Sequence, residues 1–272
     1  MKKTFIALLL ASSCAMGVSL NDAACSIIDA SDTNNTVSIT ETGNQSAYTM
    51  SFTVKANPFL TELYNAKQNG ASTALATTGV FRTNSNGTTA TIHMGIAIKQ
   101  ESSSQSSLYP TYSDDATNGT AANGMTNMSD SYGGTWTGTK NGIELTSVTA
   151  FSEYLTEWGY NETTKESNVE SIVYSMSYSS GEAGTKNYFT VVLNDGTTYD
   201  FASTSDTAYK FSYQDTISLS VNKNLVDDAY VFTKVLTNTE VASIHSQLIP
   251  EPTTATLSLL ALAGLAARRR RK

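Results

Sequence analysis

Ala47–Ala56 reads AYTMSFTVKA, and the two-residue period of that stretch decides the fold. Tyr48, Met50, Phe52 and Val54 fall on one side, and Thr49, Ser51, Thr53 and Lys55 on the other. Successive strand residues point to opposite faces, so the pattern predicts a strand with one face buried and one face wet. The same period returns in ATIHMGIAIK at residues 90–99, through Ile92, Met94, Ile96 and Ile98. It returns again through Ile172, Tyr174, Met176 and Tyr178. Residues 188–193 and 197–201 flank Asn194-Asp195-Gly196, where Asp-Gly supplies the positive φ of a tight hairpin turn. Residues 210–221 add Phe211, Tyr213, Ile217, Leu219 and Val221.

Helical signals are few. Thr237 with Glu240 three residues on has the spacing of a capping box, and Val241, Ile244 and Leu248 form one apolar face behind it. Phe59–Lys67 is a second, shorter candidate. Ser102–Asn127 is polar with no long apolar run and is expected to be a surface loop. Many strands with a rare helix predict an all-β fold. Its expected form is a two-sheet β-sandwich or jelly roll with one short helix near the C-terminal end of the domain.

Composition narrows the function. Charged residues make up only 15% of the 272, so Ser, Thr, Asn and Gly must cover much of the surface. Between Asn21 and Ile249, ten basic residues face 23 acidic ones, a charge of -13. A domain this acidic repels phosphate backbones, which argues against nucleic acid as a partner. The two cysteines, Cys14 and Cys25, offer no disulfide framework and no thiolate metal cluster. His93 and His245 stand alone, without metal-ligand spacing.

The two ends carry their own signals. Lys2 and Lys3, the apolar run Phe5–Ala11 and Ala15-Met16-Gly17 read as a signal peptide over residues 1–17. At the other end, Pro250-Glu251-Pro252 precedes an uncharged Leu/Ala-rich run, Thr253–Ala267, and then Arg268, Arg269, Arg270, Arg271 and Lys272. Fifteen helical residues rise about 22 Å, short of the ~30 Å hydrocarbon core, which suits a transient anchor. The basic cluster holds the C-terminus on the cytoplasmic side. The prolines keep the preceding segment extended, as a processing enzyme requires.

This tail resembles the PEP-CTERM sorting signal, in which a Pro-Glu-Pro motif, a hydrophobic span and an Arg cluster follow in that order. The resemblance covers residues 250–272. It implies processing by an exosortase after signal peptidase has acted, and delivery to the envelope, surface or extracellular matrix of a Gram-negative bacterium. Residues 18–249 form the expected exported domain. Within it, Ala47–Ala56 and Leu225–Val241 (LVDDAYVFTKVLTNTEV) resemble the opening and closing strands of laminin-G-like, concanavalin A-like domains. Tyr230 stands where that family usually has Arg, and the opening Trp is missing.

Candidate site residues follow from chemistry. Sugar binding needs aromatic platforms beside planar polar groups. Trp136 lies in a Gly/Thr-rich stretch and Trp158 precedes Gly159-Tyr160, so either could stack a sugar or fill the core beneath a loop. Tyr109, Tyr112 and Tyr132 also lie in loop-like sequence. Asp227 and Asp228 serve a turn, or hold a metal such as Ca²⁺; no other cofactor is expected. Glu153/Glu157, Glu162/Glu166 and Glu166/Glu170 have helical spacing and read as a solvated face. No paired-carboxylate motif of a glycosidase appears, so no catalytic residue is assigned. The reading is a non-catalytic surface module for polysaccharide or matrix. The alternatives are a passive component of an exopolysaccharide layer and a divergent carbohydrate-active enzyme. Mass spectrometry of protein from the envelope fraction is expected to find an N-terminus at Val18 and no peptide covering 268–272.

Overall fold

A computed structural model of the chain describes residues 18–40, 47–70, 73–83, 89–115, 135–179, 186–204 and 216–249. The signal-peptide and sorting-tail readings, with Phe211, Tyr213 and Tyr132, lie outside the described residues. Thirteen strands are described: β1 (Cys25–Ile27), β2 (Thr36–Thr40), β3 (Ala47–Val54), β4 (Thr73–Thr83), β5 (Thr89–Ser102), β6 (Gln105–Asp115), β7 (Thr135–Lys140), β8 (Ile143–Glu144), β9 (Val169–Ser179), β10 (Lys186–Leu193), β11 (Thr198–Thr204), β12 (Thr216–Val221) and β13 (Val226–Phe232). They form an eight-stranded sheet, β1-β13-β3-β9-β10-β11-β7-β8, and a five-stranded sheet, β2-β12-β4-β5-β6. Every pairing is antiparallel. The fold is a β-sandwich. The two stretches likened to opening and closing strands are neighbours, with Phe52 opposite Ala229 and Met50 opposite Val231.

The inward residues of the large sheet carry the rings. Phe52 stacks on Tyr174 at 5.5 Å. Phe151, from a 3-10 turn at Phe151–Tyr154, meets Phe189 at 5.0 Å and Phe201 edge-on at 4.9 Å. Such pairs add about 0.5–1.5 kcal/mol each beyond the area they bury. Gly138 on β7 makes room for this packing, because a Cβ there would stand 2.6 Å from the Phe201 ring. The Asn194-Asp195-Gly196 turn forms as expected, with Gly196 at φ 84 and the Asp195 carboxylate accepting from Thr197 N at 2.8 Å.

One helix is longer than its sequence signal and the other matches it within a residue at each end. α1 (Ala56–Asn69) runs beyond Phe59–Lys67, buries Phe59, Leu60, Leu63 and Ala66, and ends on Gly70 at φ 72. α2 (Asn238–Leu248) has both halves of the Thr237–Glu240 capping box. It buries Val241, Ile244 and Leu248 against Val173, Phe232 and Leu236.

Two expectations are corrected. β3 was expected to be wet on its second face, yet Thr49 and Ser51 are fully buried. α2 lies over that face, so Thr49 and Ser51 bond to Ser177 and Ser175 across the strand pair, and Thr49 to the segment entering the helix, instead of to water. The stretch 102–127 was expected to be a loop, yet residues 105–115 form β6 along β5. Ser106, Ser107 and Leu108 are buried there.

Beneath α2 runs a chain of buried hydrogen bonds. Ser51 meets Ser175 at 2.6 Å, and Ser175 meets His245 Nε2 at 2.8 Å. His245 Nδ1 meets Thr190 Oγ1 at 2.8 Å, and Thr190 donates to Asp200 Oδ1 at 2.8 Å. Because Thr190 spends its proton on Asp200, its oxygen accepts from Nδ1–H, which leaves Nε2 to accept from Ser175. The ring is therefore neutral, and burial pushes its pKa down to about 3. The unfolded imidazole titrates near 6.5, so the unfolded chain binds the extra proton between those values. This contribution to stability is complete above about pH 6.5 and falls as pH drops toward 3, by up to ~1.4 kcal/mol per unit. Urea unfolding at pH 7 and pH 4.5 is expected to show a drop roughly 2–3 kcal/mol larger in the native chain than in a His245→Gln variant.

Candidate functional site: an open groove between α1 and residues 151–163

An open groove of about 760 Å³ is walled by Tyr64, Lys67 and Gln68 of α1 and by Ser152–Thr163 opposite. The α1 wall exists because Phe59, Leu60 and Leu63 turn inward, leaving Tyr64, Lys67 and Gln68 on the outer side. The opposite wall is a compact set of turns. Trp158 N donates to Tyr154 O at 2.8 Å, and Tyr160 N to Leu155 O at 2.9 Å. Asn161 Oδ1 accepts from Thr163 N at 2.9 Å and Thr164 N at 3.1 Å, closing the next turn. Gly159 sits at φ 69 against Asn168, where a Cβ would come within 2.3 Å of the amide. Ser106 of β6 joins the walls: its hydroxyl donates to Leu63 O on α1, and its N–H donates to Ser152 Oγ at 2.9 Å.

Aromatic and polar groups meet in this groove. Tyr64 and Tyr160 lie 5.9 Å apart at 42°. Tyr160 donates to Thr61 Oγ1 at 3.0 Å, which fixes its ring. The Tyr64 hydroxyl donates to Glu162 Oε2, and this bond to a carboxylate pushes the phenol pKa up. Lys165 Nζ stands 5.1 Å above the Tyr64 ring, and its backbone holds φ 61, a left-handed geometry that costs a non-glycine residue energy. Lys67 pairs with Glu153 at 3.7 Å. Both lining carboxylates, Glu153 and Glu162, are exposed.

The residues singled out from sequence are dispersed. Trp158 has no exposed surface; it stacks on Tyr154 at 5.4 Å and cannot offer a ring face to a sugar. Its Nε1 has no hydrogen-bond partner. Trp136 lies on β7 rather than in a loop, half-buried and edge-on to Phe151 at 5.1 Å. Tyr109 and Tyr112 lie on β6. Asp227 pairs with Lys55 at 3.2 Å. Asp228 Oδ1 accepts from Asp29 N at 3.0 Å, and Asp228 N donates to Thr53 Oγ1 at 3.0 Å, across an irregularity in the β13–β3 pairing. No group of three metal-ligating side chains is found among the described residues. The glutamates read as a solvated face stand on the 3-10 turn, the following turns and β9; Glu157, in the turns, pairs with Lys140. Tyr64, Tyr160 and Ser106 escaped the sequence reading. The Trp158-Gly159-Tyr160 run drew attention to its tryptophan, whereas its tyrosine borders the groove.

A second cleft, about 550 Å³, opens between α2 and the outer face of β10, β11 and β7. Thr137, Thr139, Thr190, Asp200, Val241 and His245 are among the residues that line it. Both ring nitrogens of His245 are engaged, so this histidine is not poised as a base.

No family model matches the chain, and no curated protein matches it. Solved structures of an alginate lyase are similar in outline. A doubly substituted form in complex with an alginate tetrasaccharide has a TM-score of 0.29 and 10% identity, over 78% of this chain and 81% of that one. A second, in complex with an alginate trisaccharide, has a TM-score of 0.27 and 7% identity, over 78% and 80%. The lyase solved without substitutions has a TM-score of 0.28 and 8% identity, over 82% and 87%.

The occupied aspartates lead to an expected outcome. Asp228→Ala removes the acceptor for Asp29 N–H, where Asp29 sits at φ 51, and should cost about 1 kcal/mol in denaturant unfolding. Millimolar calcium should leave the native melting midpoint unmoved, whereas a clear rise would restore a metal role for these residues.

Proposed function

We propose that this chain is an exported cell-surface protein whose β-sandwich binds polysaccharide without cleaving it, through the groove between α1 and residues 151–163. The observation that carries the reading is the joint placement of Tyr64 and Tyr160 beside Gln68, Asn161, Glu153 and Glu162. Sugar rings present C–H faces that pack on aromatics, and hydroxyls that suit carboxylates and amides. The groove is open, as a site for an internal segment of a polymer must be. Each lining carboxylate already has a partner, in Lys67 for Glu153 and the Tyr64 hydroxyl for Glu162. That pairing favours binding over catalysis. Export rests on the N-terminal signal and on the PEP-CTERM-like tail, with an exosortase as processing partner and the tail as transient membrane anchor. Among the described residues no helix is long and apolar enough to cross a membrane.

One observation favours the passive alternative: Lys165 already occupies a face of Tyr64. A glycan array with the full chain separates the two. The binding reading expects saturable retention that free oligosaccharide competes away. Tyr160→Ala and Gln68→Ala should each weaken it about tenfold, roughly 1.4 kcal/mol. Signal that never saturates, or that ignores both substitutions, would leave only the passive role.

A further inference from the structure

Resting on the groove as the polysaccharide site, we infer that its ligand is an uncharged glycan and that polyuronates are excluded. The first argument is local. Lys67 is the only cation among the groove-lining residues, and it is paired with Glu153. Among the described residues no cation is paired with Glu162, its contact being the Tyr64 hydroxyl. Lys165 keeps its charge 5.1 Å above the Tyr64 ring but is not among the residues that line the groove. Across residues 150–170 there are five glutamates against the single Lys165; Lys67 and Lys140, from elsewhere in the chain, pair with Glu153 and Glu157, and Glu153 and Glu162 are the two that line the groove. The second argument is global. The stretch Asn21–Ile249 carries -13, so at low salt the chain as a whole repels a polyanion.

A polyuronate brings one carboxylate per sugar. To lie on the tyrosines it would set those carboxylates beside Glu153 and Glu162 with no free guanidinium or ammonium among the lining residues to receive them. Carboxylates are acceptors only, so the pair could not be rescued by hydrogen bonding. An uncharged sugar reverses this. Its hydroxyls donate to the two carboxylates and to the amide oxygens of Gln68 and Asn161. The amide N–H groups return bonds to its ring and hydroxyl oxygens. Selection by charge thus needs no contact beyond those that hold a neutral ring, because repulsion removes the competitor.

The test compares retention of the full chain by immobilised neutral glycans (a β-glucan, a mannan, a galactan) and polyuronates (alginate, polygalacturonate) at low salt. Retention by at least one neutral glycan, weakened by Gln68→Ala, with none by the polyuronates, is expected. A Glu153→Gln/Glu162→Gln variant should gain polyuronate retention by about fivefold or more, and raising salt should move the native chain in the same direction. Retention by alginate that Gln68→Ala weakens would overturn the uncharged-ligand inference while leaving the groove as the binding site. Retention by no glycan of either class would overturn the groove reading and the inference together. Gln68 is exposed on α1, so its substitution reports binding rather than folding.

Discussion

The eight-stranded sheet is buried on its inner face and over half of its outer face, and that second covering governs the rest of the structure. The inner face packs against the smaller sheet and α1 through Phe52, Tyr174, Phe189 and Phe201. The outer face is closed over its β13-β3-β9-β10 half by α2 and the residues leading into it. A sheet covered twice usually reads as a continuous apolar run. Here the outer face uses hydroxyls, and they are satisfied in pairs across strands: Ser51 with Ser175, and Thr49 with Ser177 at 2.8 Å. Thr49 also donates to Lys234 O at 2.8 Å and accepts from Leu236 N at 3.0 Å, which ties the chain entering α2 to the sheet. Unsatisfied, each buried hydroxyl would cost about 1–3 kcal/mol. Satisfied, they help set how α2 sits, because the two ring nitrogens of His245 reach Ser175 and Thr190 at once.

Strand existence was legible in the sequence wherever one face was apolar. β3, β5, β9 and the β10–β11 hairpin follow from alternation and from Asp-Gly alone. The capping box of α2 was equally plain, because its two residues stand at fixed spacing. Coverage of the second face was not legible. Thr and Ser read as wet in a period-2 pattern whether water or a helix lies above them. β6 failed for a related reason. It has few apolar residues, and its burial at Ser106 and Ser107 comes from α1 and the Phe151 turn, both distant in sequence. Trp158 shows the limit of composition. A Trp beside Gly can sit on a loop tip or beneath it, and only the packing of Tyr154 and Phe189 on either side decides.

The candidate groove inherits its shape from these same contacts. Its two walls are separated by more than eighty residues in sequence, and Ser106 holds both. Tyr64 is on a helix face that looks merely amphipathic, and Tyr160 follows a turn whose positive φ falls on a glycine. Neither residue carries a motif. What makes them a pair is that α1 packs between the sheets at the point where residues 151–163 cross its outer side. The groove is therefore a product of topology rather than of any local pattern.

The chain ends bear on how such a groove could be presented. Val18 packs with Leu248 in the α2 cluster, and its carbonyl accepts from Gln247 Nε2 at 3.0 Å. Leu20 N donates back to Gln247 Oε1 at 3.2 Å. The first and last described residues thus leave the domain side by side, from the outer face of the large sheet. α1, which carries one wall of the groove, packs on the inner face of that sheet with Phe59 against Phe189 at 5.8 Å. The first and last described residues and the groove thus belong to opposite faces of the large sheet.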